Sequence, residues 1–280
     1  MITNEMLDAM WCPICQDGTL SGQFDDAAEF TTGTLKCTAC DATYPVREGI
    51  PDLIPHGRLK TRDWDKWTKH LDRFYQRRAG RAGDRPTQSQ SCRWGEKAQA
   101  FADFIDLPNG LTLDVGCGPG KLRFPLKASD ETYFGVDPLP VPEVDDFPYA
   151  RALAEYIPFK NNTFSAMIVR SALDHFCDLD IFFAEAVRVL KPGGRIYIEQ
   201  VVMRRSPLAL CKSMAHSVND FIDDMKTTAQ NSSAPKHMHE FSTSRLMKTA
   251  SEYFAVSDVR HYNRNWYTPT QMFVAFRKHH

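Results

Sequence analysis

The chain has 280 residues, 42% of them hydrophobic and 25% charged, with 34 basic side chains against 35 acidic ones. This balance excludes collagen-like, fibrous and wholly disordered classes, and the length holds about two domains at roughly 100–200 residues each. No stretch approaches the roughly 20 consecutive apolar residues that cross a bilayer, and the start MITNEMLDAMW lacks the basic and apolar regions of a secretory leader, so the expectation is a cytoplasmic protein without a transmembrane segment.

Charge is uneven along the chain: residues 1–57 carry a net −7, residues 58–85 a net +6, and the remainder is neutral. Such blocks can dock on one another, the basic one can meet an anionic partner such as RNA or a lipid surface, or both can be solvated faces. Eight cysteines without a secretory leader argue against a disulfide scaffold and for metal binding or incidental core use.

Four of the cysteines form two knuckles, Cys12-Pro13-Ile14-Cys15 and Cys37-Thr38-Ala39-Cys40, with 21 residues between them. Each CxxC turn aims two thiolates at one point, and two such turns make the closed four-thiolate site of a structural zinc ion. Metal would supply folding free energy that so short a segment gains poorly from burial alone. A redox pair and a ribbon that has lost its metal are the alternatives. Residues 33–36 and 42–46 read as short strands. The order CPxC, CxxC, YPVREGIPDLIP, over residues 6–55, resembles the small Trm-type zinc-ribbon proteins that activate methyltransferases, a module that stands alone or is fused ahead of a methyltransferase. The resemblance implies a zinc-ribbon domain at residues 1–57 with Cys12, Cys15, Cys37 and Cys40 as zinc ligands, and a methyltransferase farther along.

Residues 58–91 form a basic connector. Trp64, Trp67, Leu71, Phe74 and Tyr75 recur at helical spacing, which predicts an amphipathic helix over residues 61–78 with its aromatic stripe turned inward; stacking on nucleic-acid bases is the alternative use of that stripe. Residues 79–90 read as a linker or a lid over an active site. A further helix is expected over residues 92–106, stopped by Pro108-Asn109-Gly110.

From Leu111 the sequence LTLDVGCGPG predicts an apolar strand that ends in Asp114 and turns through Gly116, Gly118 and Gly120. Glycines at every second position let backbone approach a ligand without side chains intervening. The dinucleotide fingerprint GxGxxG is not met, because Lys121 stands where its third glycine belongs. A second strand, residues 132–136, ends in Asp137, and a carboxylate at that tip hydrogen-bonds ribose hydroxyls. Strands over residues 164–169 and 195–199, with a helix over 180–190 and a turn at Lys191-Pro192-Gly193-Gly194, complete an alternation that implies a doubly wound sheet with its ligand at the strand C-termini.

The pieces LDVGCGPG, YFGVDP, AEYIPFKNNTF, LDHF and EAVRVLKPGGRIYI, spread over residues 113–198, resemble the class I S-adenosylmethionine-dependent methyltransferases. The fold so implied for residues 92–280 is an α/β Rossmann-like sheet, mostly parallel with an antiparallel last strand, behind the small zinc ribbon. The resemblance makes S-adenosylmethionine the cofactor, with Asp114 and the amides of Gly116, Cys117 and Gly118 at its methionine end and Gly120 in the same turn. It sets Asp137 on the ribose, Pro138 against the adenine, and Ala154 and Glu155 along the adenine edge. Three departures stand out: Leu153 where relatives carry an acidic residue that reads the adenine amine, Ser165 where they carry Asp, and PLPVPEVDDFP after Asp137, whose prolines forbid the usual helix.

Methyl transfer from a sulfonium draws on proximity and alignment, and a hydroxyl or amine acceptor also needs a base within hydrogen-bond reach. Asp174 and His175, after the 164–169 strand, and Glu199, ending the next, are the candidate catalytic residues; His175 also fits a packing role beside the cofactor. His216, on a helix expected over residues 207–226, and His237 and His239 are secondary candidates on an inserted acceptor lid. A helix over residues 242–252 and a strand pair over 255–262 and 271–278 close the chain. The expected activity is methylation of a small-molecule, sugar or lipid-linked acceptor. The alternatives are an RNA methyltransferase that uses the ribbon and basic connector for binding, and a cofactor-binding scaffold without catalysis.

Overall fold

The computed structural model describes residues 2–25, 31–55, 64–65, 67–69, 92–129, 131–139, 147–202, 238–262 and 270–279. It opens with helix α1 (Asn4–Ala9), whose first turn is capped by the Thr3 hydroxyl accepting from the Met6 amide at 3.2 Å. Four antiparallel strands follow in chain order, β1 (Leu20–Phe24), β2 (Gly33–Cys37), β3 (Thr43–Arg47) and β4 (Ile50–Pro51). Alternation decides their faces: Leu35, Cys37, Tyr44 and Val46 point inward while their neighbours meet solvent. The strands expected from sequence are β2 and β3; α1, β1 and β4 carried too few apolar residues to announce themselves.

The larger sheet has seven strands, in the order β10-β11-β9-β8-β5-β6-β7. These are β5 (Thr112–Val115), β6 (Tyr133–Val136), β7 (Tyr149–Ala150), β8 (Phe164–Arg170), β9 (Leu190–Val202), β10 (Phe254–Tyr262) and β11 (Thr270–Lys278). Strands β5 to β9 run parallel, and β11 is antiparallel to both β9 and β10. The mostly parallel doubly wound sheet expected from the sequence is therefore present. Every residue of β5 and β6 is buried, as central parallel strands covered on both faces require. Helices α2 (Cys92–Ala102), α3 (Arg123–Leu126), α4 (Leu179–Val189) and α5 (Thr243–Ser251) and a 3₁₀ turn at Leu173–His175 accompany it.

Two local differences from expectation have clear causes. Helix α4 starts one residue early because the Asp178 carboxylate accepts from the Asp180 and Ile181 amides and fixes the first turn there. The expected turn at Lys191-Pro192-Gly193-Gly194 lies inside β9 as a bulge: the pairing with β8 jumps from Phe164↔Leu190 to Ala166↔Arg195, with Gly193 at φ +72°. The rest of the 61–78 helix around Trp64 and Trp67, the 79–90 segment, the 207–226 helix, His216 and His237 lie outside the described residues.

Among the described residues, two isolated β-bridges join the N-terminal module to the rest of the chain. Met10 bridges Phe159, with the Trp11 amide donating to Pro158 O at 2.9 Å and the Lys160 amide to Ala9 O at 3.0 Å. At the sheet edge Asp52 runs parallel to Arg151, with the Leu53 amide donating to Arg151 O at 2.8 Å and the Arg151 amide to Pro51 O at 2.9 Å. The Asp52 carboxylate also pairs with the Arg151 guanidinium. Met6, Met10 and Leu35 belong to the same buried cluster as Phe134, Phe159 and Phe164, so one apolar core spans both modules. Among the described residues no helix is long and apolar enough to cross a membrane.

Candidate active site

Strand β5 lies between β6 and β8, and its two neighbours are reached by connections that leave in opposite directions, which opens a crevice at the strand C-termini. A cavity of about 180 Å³ occupies that crevice. It is bounded by Val115, Gly116 and Gly118 after β5, Val136 to Leu139 after β6, Ala152 to Glu155 after β7, and Ser171, Ala172, His175 and Phe176 after β8. Trp67, from the segment between the modules, closes the list of walls.

Of the nine residues expected around a cofactor, Gly116, Gly118, Asp137, Pro138, Ala154 and Glu155 line this cavity. Asp137 is nearly fully buried, with Oδ2 accepting from the Gly118 amide at 2.8 Å and Oδ1 from the Leu139 amide at 2.9 Å. A carboxylate offers about four lone-pair directions, and Asp137 brings them to the cavity wall. The amides of Gly116, Cys117 and Gly118 have partners within the chain: the first two donate to Val136 O at 2.8 and 3.3 Å and the third to Asp137. What the glycines provide is the conformation: φ values of +72°, +53° and +68° at Gly116, Gly118 and Gly120 bend the loop back on β6.

Asp114, Cys117 and Gly120 do not line the cavity; they support it. Asp114 lies beneath the loop, hydrogen-bonded by the Tyr133 hydroxyl, and burial pushes its carboxyl up to about 7. Burial likewise raises the Cys117 thiol far above its ordinary range, and a side chain on Gly135 would collide with its sulfur, so Cys117 is a packing residue. Gly120 abuts the Phe147 ring. Glu155 does line the cavity, but its Oε1 accepts from the amides of Cys177 at 2.6 Å and Asp178 at 3.1 Å and so holds the loop after β8, with its carboxyl pushed up to about 7 by burial.

The three catalytic candidates separate. His175 lines the cavity, its Nε2 4.0 Å from Asp174 Oδ1. Asp174 does not; its carbonyl accepts from the amides of Met238 at 2.8 Å and His239 at 3.2 Å. Glu199 is fully buried within β9, where Lys97 Nζ and Arg170 Nε each lie 2.7 Å from one of its oxygens and the Ser171 hydroxyl donates to it at 3.4 Å. It does not line the cavity. Its partners were not legible, because Lys97 comes from α2, far away in sequence. His239 is half-buried against Phe241, and burial lowers its imidazole.

The second cluster is Cys12, Cys15, Cys37 and Cys40, whose sulfurs all lie within 4.8 Å of one another. The Cys12–Cys40 and Cys15–Cys37 sulfur separations are 3.7 and 3.6 Å. Disulfides would require about 2.05 Å, whereas a tetrahedron of sulfurs at roughly 2.3 Å from a zinc ion has edges of about 3.8 Å. The four free thiols thus fit the metal by geometry as well as by chemistry. The Tyr44 hydroxyl, 3.1 Å from Cys12 Sγ, and the Ala39 amide, 3.3 Å from Cys37 Sγ, supply polar neighbours of the kind that orient metal-bound thiolates.

Residues 113–198 match the family described as a methyltransferase domain. A 50-residue stretch is 44% identical to the ubiquinone/menaquinone biosynthesis C-methyltransferase UbiE of Saccharophagus degradans, covering 18% of this chain and 20% of that protein. A 103-residue stretch is 31% identical to the mitochondrial ubiquinone biosynthesis O-methyltransferase of Homo sapiens, covering 32% of this chain and 28% of that one. The chain thus spans under a third of the length of either relative. In three dimensions a candidate methyltransferase from Bacillus halodurans superimposes with a TM-score of 0.51 at 14% identity, over 66% of this chain and 100% of its own. Sheet order, glycine loop and these matches agree: residues 113–198 match the methyltransferase-domain family, and the larger sheet has the fold of that candidate methyltransferase.

Proposed function

We propose that the chain is an S-adenosylmethionine-dependent methyltransferase acting on a small-molecule, sugar or lipid-linked acceptor, organised as a structural zinc ribbon (residues 1–57), a basic connector (58–91) and a catalytic domain (92–280). The observation that carries this reading is the cavity at the strand C-termini, with Asp137 on one wall and His175 on another. When bound, the cofactor supplies a methyl group made electrophilic by positively charged sulfur. Asp137, prepositioned by the Gly118 and Leu139 amides, accepts from the ribose hydroxyls. Pro138 and the apolar run Ala152-Leu153-Ala154 receive the base, and the glycine loop keeps side chains clear of the methionine end.

A hydroxyl acceptor would also need a base, and His175, which lines the cavity, is the group that would hold its proton. Glu199 and Asp174 act through others: Glu199 fixes Lys97 and Arg170 beside the strand ends, and Asp174 anchors the backbone at residues 238–239. The four thiolates leave a bound zinc ion no open position, so its part is folding rather than chemistry. Relatives named for ubiquinone and menaquinone biosynthesis support a small-molecule acceptor.

The test is to incubate the purified chain with methyl-labelled S-adenosylmethionine and a source-cell extract, then fractionate the label. Label in the small-molecule and lipid fraction is expected. Label in an RNase-sensitive polymer would transfer the assignment to RNA and make the basic block at residues 58–85 its binding surface.

A further inference from the structure

We propose that Trp67 is the stacking wall for the adenine base of the cofactor, replacing the polar recognition lost where Leu153 stands; the inference rests on the cofactor reading above. Trp67 lies outside residues 113–198, in the segment between the modules, yet it lines the cavity. Two contacts fix its ring. Its indole N–H donates to His175 O at 2.9 Å, and Trp64 meets it edge-on with centroids 5.4 Å apart at 78°. Only 5% of Trp67 is exposed, and it shares an apolar cluster with Leu153 and Cys177.

The apolar lining of the cavity is Leu139, Ala152, Leu153, Ala154 and Phe176, of which Leu153 shares the cluster of Trp67, and none of these offers a side-chain acceptor to an exocyclic amine. Glu155 follows directly, but its Oε1 is turned toward the Cys177 and Asp178 amides. A purine received among these residues meets apolar surface and one immobilised indole. Its recognition comes from the π face and from shape, with the polar edge left to backbone groups. Stacking of a base on an aromatic side chain corresponds to roughly 5- to 150-fold in affinity. The hydrogen bond to His175 O also ties the base wall to the turn that carries the proposed proton acceptor.

The experiment titrates the full chain with S-adenosylhomocysteine and, separately, with adenosine, by calorimetry and tryptophan emission, for the wild type, Trp67→Leu and Trp67→Phe. Trp67→Leu is expected to weaken both ligands by the same factor, roughly 5- to 150-fold. Trp67→Phe, which keeps a ring, should lose only about a few-fold and should abolish most of the emission change that binding produces in the wild type. Thermal unfolding of each ligand-free variant reports whether the fold is intact; if Trp67→Leu unfolds, Trp67→Phe and the emission change still decide. Wild-type affinity of Trp67→Leu for both ligands, a loss confined to S-adenosylhomocysteine, or an emission change unaltered in Trp67→Phe would each overturn the assignment. A folded wild type that binds neither ligand would instead overturn the cofactor reading itself.

Discussion

Glu155 takes its character from burial rather than from its neighbours in sequence. Desolvation raises its carboxyl from 4.5 to about 7 even though two amides donate to it. Because the folded chain holds the proton more tightly than the unfolded one, the stabilising contribution is complete below about 4.5 and is lost as pH rises through about 7. The ceiling on that loss is about 3 kcal/mol at 1.36 kcal/mol per unit. Glu155→Gln keeps an oxygen for the amides and removes the proton, so its thermal midpoint should fall less than that of the wild type between pH 4.5 and 7; parallel profiles would contradict this account. Asp137 plays a different part, since its oxygens accept from the Gly118 and Leu139 amides and so order the loops after β5 and β6 at the cavity wall. Asp137→Ala should weaken S-adenosylhomocysteine by about 150-fold or more, the loss expected for two hydrogen bonds to a charged group, and calorimetry measures it directly. At Gly116 a Cβ would sit 2.4 Å from Ala172 Cβ with the backbone at φ +72°. Gly116→Ala is expected to cost about 2–4 kcal/mol in denaturant unfolding, a value that ordinary loop substitutions do not reach.

Among the secondary-structure elements, legibility followed length and periodicity. Strands β5, β6 and β8 were readable as short apolar runs that end at turn residues, and helices α2 and α4 because their apolar residues repeat at helical spacing. The two-residue strands β4 and β7 were not, since pairing partners rather than composition create them. Strand β9 hides a bulge in a KPGG sequence that reads as a plain turn, and only the register with β8 reveals that the chain stays in the sheet. The knuckles were legible for the opposite reason: four cysteines at fixed spacing specify a metal-ligand geometry without any knowledge of the surrounding strands. Their joint with the larger sheet could not be foreseen, because Met10–Phe159 and Asp52–Arg151 connect residues far apart in sequence. A shared core has a measurable consequence. Cys37→Ser should release zinc, and the whole chain should melt earlier in one transition, because Met6 and Leu35 are packed in the cluster that holds Phe134 and Phe164. Two calorimetric transitions, the later one unmoved, would show instead that the modules unfold independently.

For the molecule as a whole, the alternation of strands and helices pointed to the doubly wound sheet, and the sheet in turn locates the crevice. The part of the site carried by local sequence, the glycine loop and Asp137, was therefore visible beforehand. The part assembled across the fold was not: Trp67 arrives from outside the methyltransferase domain, and Glu199 is drawn away from the cavity by Lys97 and Arg170. The central claim is that the cavity between β6, β5 and β8 binds S-adenosylmethionine. Its most direct test is a calorimetric titration of the full chain with S-adenosylhomocysteine, beside Asp137→Ala. Saturable one-to-one binding by the wild type, strongly weakened in the variant, is the predicted result; a folded wild-type chain that releases no binding heat and gains no thermal stability from the ligand would contradict it.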